Sequence, residues 1–270
     1  MRRVAAQIVV KELGSWETST AESWGKIRMR EVLNRPLQSE EGHRMEVVWD
    51  RKLLRQLPDL KIALGTIRNA VVKRSEKVLD GLEKTVLRNV RARYKLQSLK
   101  DEPIIRAYRD FYWRLDIDPT KIRPAGEALI RRVIRGNGIP RILNVVDACN
   151  LASVETCLAF SAYDLDRLEP PLRVRFSRIN ETFVAIGKRI PQKLTGKEPV
   201  LTDEMQILGL YPHRDAENSK VTKSTKDILL VVYGVPAIEE QILKEGLAKS
   251  FELITAVAGG TTGEIGVKPL

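Results

Sequence analysis

Cysteine and histidine are scarce in this chain: Cys149 and Cys157, His43 and His213. Structural zinc needs four ligands in clustered pairs, so neither a metal site nor any other cofactor is expected. Two lone thiols exclude a disulfide scaffold and suit buried sulfur in a reducing compartment. The alternative, a Cys–His nucleophile pair, needs partners that meet only in the fold. Long apolar runs are also missing. The longest purely aliphatic one, Ile228-Leu229-Leu230-Val231-Val232, falls far short of the ~20 residues that span a bilayer. Met1-Arg2-Arg3 is basic, but the apolar stretch after it contains Gln7 and stops at Lys11-Glu12, too soon for a signal-peptide core. A soluble, cytoplasmic protein with no membrane partner is expected. With 43% hydrophobic and 30% charged residues, 17 Gly and 13 Pro in 270, the composition is globular and excludes collagen-like or wholly disordered chains. The length suits one large domain or two small ones.

Acid is what one part of the chain lacks most. The net charge is +11. Residues 51–100 hold 14 basic and 4 acidic residues, while residues 1–50 balance at 8 and 8. An excess so localised points to an anionic partner rather than to general solubility.

Residues 1–44 show little pattern beyond a candidate short helix over 27–33. Leu60, Ile62 and Leu64 alternate with Lys61, Ala63 and Gly65, a strand signal. The spacing predicts helices over 69–98, 104–115, 126–135 and 144–159. From Leu172 the period switches to two, with strands expected at 172–176, 183–186, 199–202, 207–210 and 228–233. Pro236 suits the first turn of a closing helix that stops near Gly259-Gly260. Gly259-Gly260-Thr261-Thr262-Gly263 lacks the Lys-[Ser/Thr] of a phosphate loop and reads as a helix cap followed by a loose tail. Helices come mainly first and strands later, so the expected class is α+β, with mixed sheet structure in the C-terminal part.

On a helical wheel over 69–98, Lys73, Lys77, Lys84, Arg88, Arg91 and Lys95 fall in a stripe ~60° wide and roughly 33 Å long. Val78, Leu82, Val86, Val90 and Tyr94 take the other side. Such a helix docks on a core and offers a cationic rail to a nucleic-acid backbone. The competing reading is a solvated helix face; a membrane surface lacks the flanking aromatics it would use.

The central motifs are Glu127-Ala128-Leu129, then Val145-Val146-Asp147-Ala148-Cys149-Asn150, then Ala162-Tyr163-Asp164-Leu165-Asp166-Arg167-Leu168. With Arg214-Asp215 and Ser219-Lys220-Val221-Thr222, they resemble the B3/B4 domain of the phenylalanyl-tRNA synthetase beta subunit, and especially its freestanding relatives. The likeness covers roughly residues 46–257, leaving 1–45 as an N-terminal extension and 258–270 as a tail. It implies an α+β domain with a pocket between two sub-structures, a tRNA or related RNA as partner, and no DNA. In the synthetase this domain hydrolyses the ester joining a wrong amino acid, typically tyrosine, to the tRNA 3′ end.

Carried across by that resemblance, the family's pocket Asn falls on Asn150, its pocket His on Ser161 and its pocket Glu on Val231. An apolar Val cannot replace a carboxylate acceptor, so tyrosine selection by that route is lost. Asn150 can hold a carbonyl or a water, and Ser161 can orient one; these are the candidate catalytic residues. Asp147 shares a helical face with Asn150 and competes as a helix tie. Asp147, Arg214, Asp215 and Glu217 are candidate pocket-rim residues, against an ordinary salt-bridged loop for the last three. Asp164 and Asp166 suit a turn better than a cation site. His213 is a candidate proton carrier, against a merely exposed loop histidine. Three readings stay open: an RNA-binding domain that hydrolyses mischarged aminoacyl-tRNA in trans, a non-catalytic RNA-binding or assembly module, and a pocket for a small molecule such as an amino acid or nucleoside.

Overall fold

Apolar residues spaced for strands and for helices segregate along the chain, and each set buries its apolar side on the other. The computed structural model describes residues 45–74 and 77–269, all within one compact unit, His43–Leu270. The helix expected over 27–33 and the N-terminal extension lie outside the described residues. In chain order the elements are β1 (Val47–Trp49), α1 (Arg51–Gln56), β2 (Lys61–Arg68), α2 (Lys77–Arg93), α3 (Pro103–Arg114), α4 (Ala125–Ile134) and α5 (Asn144–Thr156). Then come β3 (Ala159–Asp164), β4 (Leu172–Phe176), β5 (Ile179–Phe183), β6 (Gln192–Thr195), β7 (Pro199–Thr202), β8 (Ile207–Leu210), β9 (Arg214–Asp215) and β10 (Ile228–Gly234). The chain closes with α6 (Glu240–Ala258), β11 (Thr261–Thr262) and β12 (Gly266–Lys268).

The class is α+β, as the order of patterns implies. One sheet runs β1-β4-β7-β8-β9 and is mixed, since β1 pairs with β4 in parallel and the remaining neighbours are antiparallel. The other runs β11-β2-β10-β3, with β12 also on β2, all antiparallel. β5 and β6 form a two-stranded sheet of their own.

All seven residues of β10 are buried, which explains its unbroken apolar run: both faces are covered. Leu230 pairs with Gly65, and a Cβ on Gly65 or Gly234 would strike Phe251 or Leu243 of α6. Even-numbered β10 residues therefore face α6. Odd-numbered ones, Leu229, Val231 and Tyr233, face the opposite side.

Four expectations need correction. The helix foreseen over 69–98 is shorter at both ends. Asn69 takes a left-handed conformation with φ 57°, and its N–H donates to Asp227 Oδ1 at 2.9 Å, so the chain leaves β2 in a turn. It then crosses the surface of α5, with Lys73 N–H on Asn144 Oδ1 at 3.0 Å, before α2 begins. The strand expected at 183–186 lies earlier, at Ile179–Phe183, and Pro236 precedes the closing helix by a full turn. The loose tail is not loose: Thr261–Thr262 and Gly266–Lys268 pair with β2.

Glu127, from the Glu-Ala-Leu stretch, is fully buried. It accepts from Arg109 Nη1 at 3.0 and 3.1 Å and from Arg131 Nε at 2.7 Å, binding α3 to α4. Asp164 likewise serves local structure, accepting from Thr225 Oγ1 at 2.7 Å and pairing with Arg167 at 3.2 Å.

Candidate functional site

α5 is anchored at its start by Asn144, whose side-chain amide donates to Val71 O and Val257 O, each at 2.9 Å. Asp147 is fully buried; its Oδ1 accepts from Ile142 N–H at 2.8 Å, while Oδ2 has no partner among the described residues. Three residues on, Asn150 is partly buried and its side chain makes no hydrogen bond to another described residue. The helix ends at Cys157, where φ is 62°, and the chain turns into β3.

β3 carries Ser161 and Tyr163 on one face by strict alternation. Ser161 pairs directly with Val231, and Tyr233 with Ala159. The two positions matched to the family's His and Glu thus stand side by side on neighbouring strands. The carboxylate on this face comes from elsewhere. Asp215, on the edge strand of the other sheet, accepts at Oδ1 from Ser161 Oγ at 2.5 Å and from Tyr163 Oη at 2.9 Å. Tyr163 Oη also lies 2.8 Å from Tyr233 Oη. Tyr211 Oη donates to Gly234 O at 2.5 Å and to Lys61 O at 2.6 Å, with its ring edge-on to Tyr233 at 4.7 Å. Tyr108 donates to Tyr233 O and accepts from Ala159 N–H at 3.1 Å.

Electrostatics follow from this enclosure. Burial pushes the Asp215 carboxyl up to about 6, against the pull of the hydrogen bonds from Ser161 and Tyr163. Asp215 Oδ2 accepts from no described residue. A weakly acidic carboxylate beside a hydroxyl can orient a water and take its proton near neutral pH. Burial, with Asp215 and Asp147 adding to it, pushes the Cys149 thiol up to about 12. Burial likewise raises Cys157 to about 11, and its sulfur lies 3.3 Å from Tyr94 Oη. Neither thiol has a histidine partner among the described residues, so both are inert core sulfur.

His213 is not simply exposed. It is partly buried edge-on to Tyr112, with ring centroids 5.9 Å apart. Burial lowers it to about 4, with Arg214 contributing in the same direction. Its Nδ1 and the Tyr112 hydroxyl are both enclosed without a partner among the described residues. Arg214 itself is exposed. Glu217 turns away from Ser161, pairing with Lys220 and accepting from Gly187 N–H at 3.0 Å. Of the candidates named from sequence, the structure joins Ser161 to Asp215. It records no bond from Asn150, Asp147, Arg214 or Glu217 to either. The tyrosines are the part that sequence reasoning misses, although alternation along β3 places Tyr163 beside Ser161. Gly209 carries no such signal, yet a Cβ there would stand 2.7 Å from Tyr163 Oη and 3.2 Å from Asp215 Oδ1.

The cationic rail is shorter than the wheel implies. Lys73 lies before the helix and Lys95 after it, so neither shares the helical register. Lys77 opens α2, and its side chain is outside the described residues. Lys77 to Arg91 spans about 21 Å. Lys73, Lys84, Arg88, Arg91 and Lys95 are exposed. Lys84, Arg88 and Lys95 pair with no described acid, and Arg91 Nε donates to Val133 O at 3.0 Å. The buried side holds Leu79, Val86, Leu87, Val90 and Tyr94, roughly a third of a turn from the basic edge rather than opposite it. No helix among the described residues is long and apolar enough to cross a membrane.

A family model described as the B3/4 domain matches residues 107–253, a span that includes Asn150, Ser161, Asp215 and Val231. The phenylalanine–tRNA ligase beta subunit of Idiomarina loihiensis is 26% identical over 155 residues, covering 49% of this chain and 19% of that protein. The same subunit of Pectobacterium atrosepticum is 30% identical over 110 residues, covering 40% of this chain and 14% of that protein. The chain thus spans about a fifth or less of the curated relatives it matches. An N-terminal fragment of the phenylalanyl-tRNA synthetase beta subunit from Pyrococcus horikoshii superposes with a TM-score of 0.43 at 14% identity, covering 87% of this chain and 57% of that one.

Proposed function

The chain belongs to the B3/4 domain family, and on that premise we propose that it binds tRNA or a related RNA and hydrolyses a mischarged aminoacyl ester in trans. The observation that carries this reading is the 2.5 Å contact between Ser161 and Asp215. It supplies a carboxylate to the face where Val231 replaces an acid. In the proposed reaction Asp215 Oδ2 takes a proton from water, and the oxygen attacks the ester carbonyl carbon. The bond from that carbon to the ribose oxygen breaks, and the leaving oxygen takes the proton back from Asp215, releasing a free amino acid and a free 3′ or 2′ hydroxyl. Ser161 holds Asp215 in place, and Asn150 binds the carbonyl or the water. Exposed Lys84, Arg88, Arg91 and Lys95 attract the RNA backbone. The protein works in the cytoplasm, where its substrate is made.

A panel of mischarged tRNAs tests this. Release of at least one amino acid, lost in Asn150→Ala and reduced about 10²-fold or more in Asp215→Asn, is the expected result. No release from any member of the panel sinks the hydrolytic half. A second reading has its own observation: Oδ1 of Asp215 is already saturated by two hydroxyls, as a structural tie between sheets would be. In that case RNA binding persists without deacylation.

A further inference from the structure

A second cationic surface lies between Ser177 and Glu198, beside the site described above, where the Ile186 N–H donates to the Asp215 carbonyl at 2.9 Å. β5 and β6 stand apart from both larger sheets. They are held by a small core in which Phe183 and Leu194 pack with Val200 of β7, Ile207 and Leu210 of β8 and Ala216, and by a bridge from Ala185 to Ala216. Arg178, Lys188, Arg189, Lys193 and Lys197 are all exposed there; Arg178 lies beside Glu181, and the other four pair with no described acid.

The acids of this segment are consumed internally. Glu181 takes both guanidinium nitrogens of Arg175, at 2.9 and 2.7 Å, and the Arg178 N–H at 2.7 Å. Glu198 accepts from Ser177 Oγ at 2.6 Å and Thr195 Oγ1 at 2.9 Å. Four cations, Lys188, Arg189, Lys193 and Lys197, therefore face solvent with their local counter-charge spent elsewhere. A solvated surface that served only solubility would carry interspersed acids.

Apolar side chains share this surface. Ile179 is 77% exposed, Ile186 48% and Ile190 84%, and Ile190 lies in the tip next to Lys188 and Arg189. Duplex RNA offers phosphates but hides its apolar base faces in the stack. Unpaired nucleotides offer both phosphates and open faces. We infer that the β5–β6 hairpin is a second RNA contact that grips unpaired nucleotides, its lysines and arginines on the phosphates and its isoleucines against bases or riboses. The inference rests on the RNA-binding reading above and adds to it a region and a preferred strand state.

The test measures binding of the full chain to two fluorescent RNAs across a salt series: a stem–loop, and the same stem–loop with an unpaired 3′ extension. Three variants accompany the wild type: Lys188→Gln with Arg189→Gln and Lys193→Gln, Ile186→Ser with Ile190→Ser, and Lys84→Gln with Arg88→Gln on α2. Thermal midpoints check that each folds. Wild type is expected to prefer the extended RNA. The hairpin charge variant should lose most of that preference and lower the log–log salt slope by about 2, at ~0.7 per single-strand phosphate. The isoleucine variant should weaken binding several-fold with the slope unchanged. If both hairpin variants bind like wild type while the α2 variant weakens, the hairpin inference falls and RNA binding stands. If wild type binds neither RNA, both fall. If the hairpin substitutions instead abolish binding to phosphatidylserine vesicles and leave RNA affinity unmoved, the hairpin is a lipid contact and the inference is overturned.

Discussion

Ser161 and Asp215 belong to different sheets, 54 residues apart, and their side chains meet at 2.5 Å. Tyr163 donates to the same carboxylate oxygen, so the edge of one sheet is tied to the edge of the other by charge-assisted hydrogen bonds. Burial, working against that tie, makes Asp215 titrate in an unusual range, and stability should report it.

The carboxyl of Asp215 is raised by burial from 3.8 to about 6. Between those values the folded chain keeps a proton that the unfolded chain has released. Its contribution is therefore full below 3.8 and is lost as pH rises through about 6, at no more than about 1.4 kcal/mol per pH unit. His213 runs the other way. Burial lowers it from 6.5 to about 4, so its contribution is present above 6.5 and is lost as pH falls through about 4. The two slopes oppose each other between about pH 4 and 6. Asp215→Asn should therefore lose stability on acidification more steeply than wild type, and His213→Asn less steeply. Urea unfolding at pH 4.5 and 7 decides this; parallel losses in all three proteins would contradict it.

Gly209 is the unremarked support of the same contact. A Cβ there would lie 2.7 Å from Tyr163 Oη and 3.1 Å from the backbone oxygen of Arg214. Gly209→Ala should cost about 1–3 kcal/mol by overpacking. Removing the struck hydroxyl with Tyr163→Phe should recover part of that loss, giving a favourable coupling in a double-mutant cycle. Strictly additive losses would mean that the methyl is absorbed elsewhere.

Glu127, from the Glu-Ala-Leu stretch, ties α3 to α4. It is a carboxylate with no solvent exposure, between two guanidinium groups. Glu127→Ala leaves Arg109 and Arg131 facing each other without their shared acid. A loss of about 3–5 kcal/mol is expected. Denaturant unfolding measures it, and a loss below 1 kcal/mol would show that water replaces the carboxylate.

Local pattern made much of this fold legible, and the exceptions have physical causes. Helices α3, α4 and α5 and strands β4, β7, β8 and β10 lie within a residue or a few of their expected places, because apolar period and turn residues are local signals. The long basic helix was overextended because a wheel cannot see Asn69 adopting φ 57° or Tyr94 burying its ring where the helix stops. The pairing of β11 and β12 with β2 depends on partners nearly 200 residues away in sequence. The Ser161–Asp215 contact was equally invisible: alternation fixes which face a residue takes, not which sheet lies against it. Asp215 could be placed near a pocket by family likeness, but its bond to Ser161 required the fold.

The charge on α2 gives the last expectation. Lys84 and Arg88 are exposed one turn apart and pair with no described acid, so they are free to exchange counterions for phosphates. Arg91 is exposed but also supports α4 through the Val133 carbonyl. Neutralising Lys84 and Arg88 together should therefore lower the log–log salt slope of RNA binding by about 1.5, with little change in thermal midpoint. Arg91→Gln should change both the slope and the midpoint, because it removes a proposed phosphate contact and a helix–helix hydrogen bond together. A titration of the three proteins between 50 and 200 mM salt, over which the Debye length roughly halves, separates these effects. If the double variant retains the wild-type slope, the exposed edge of α2 is a solvated face and the RNA must be held elsewhere.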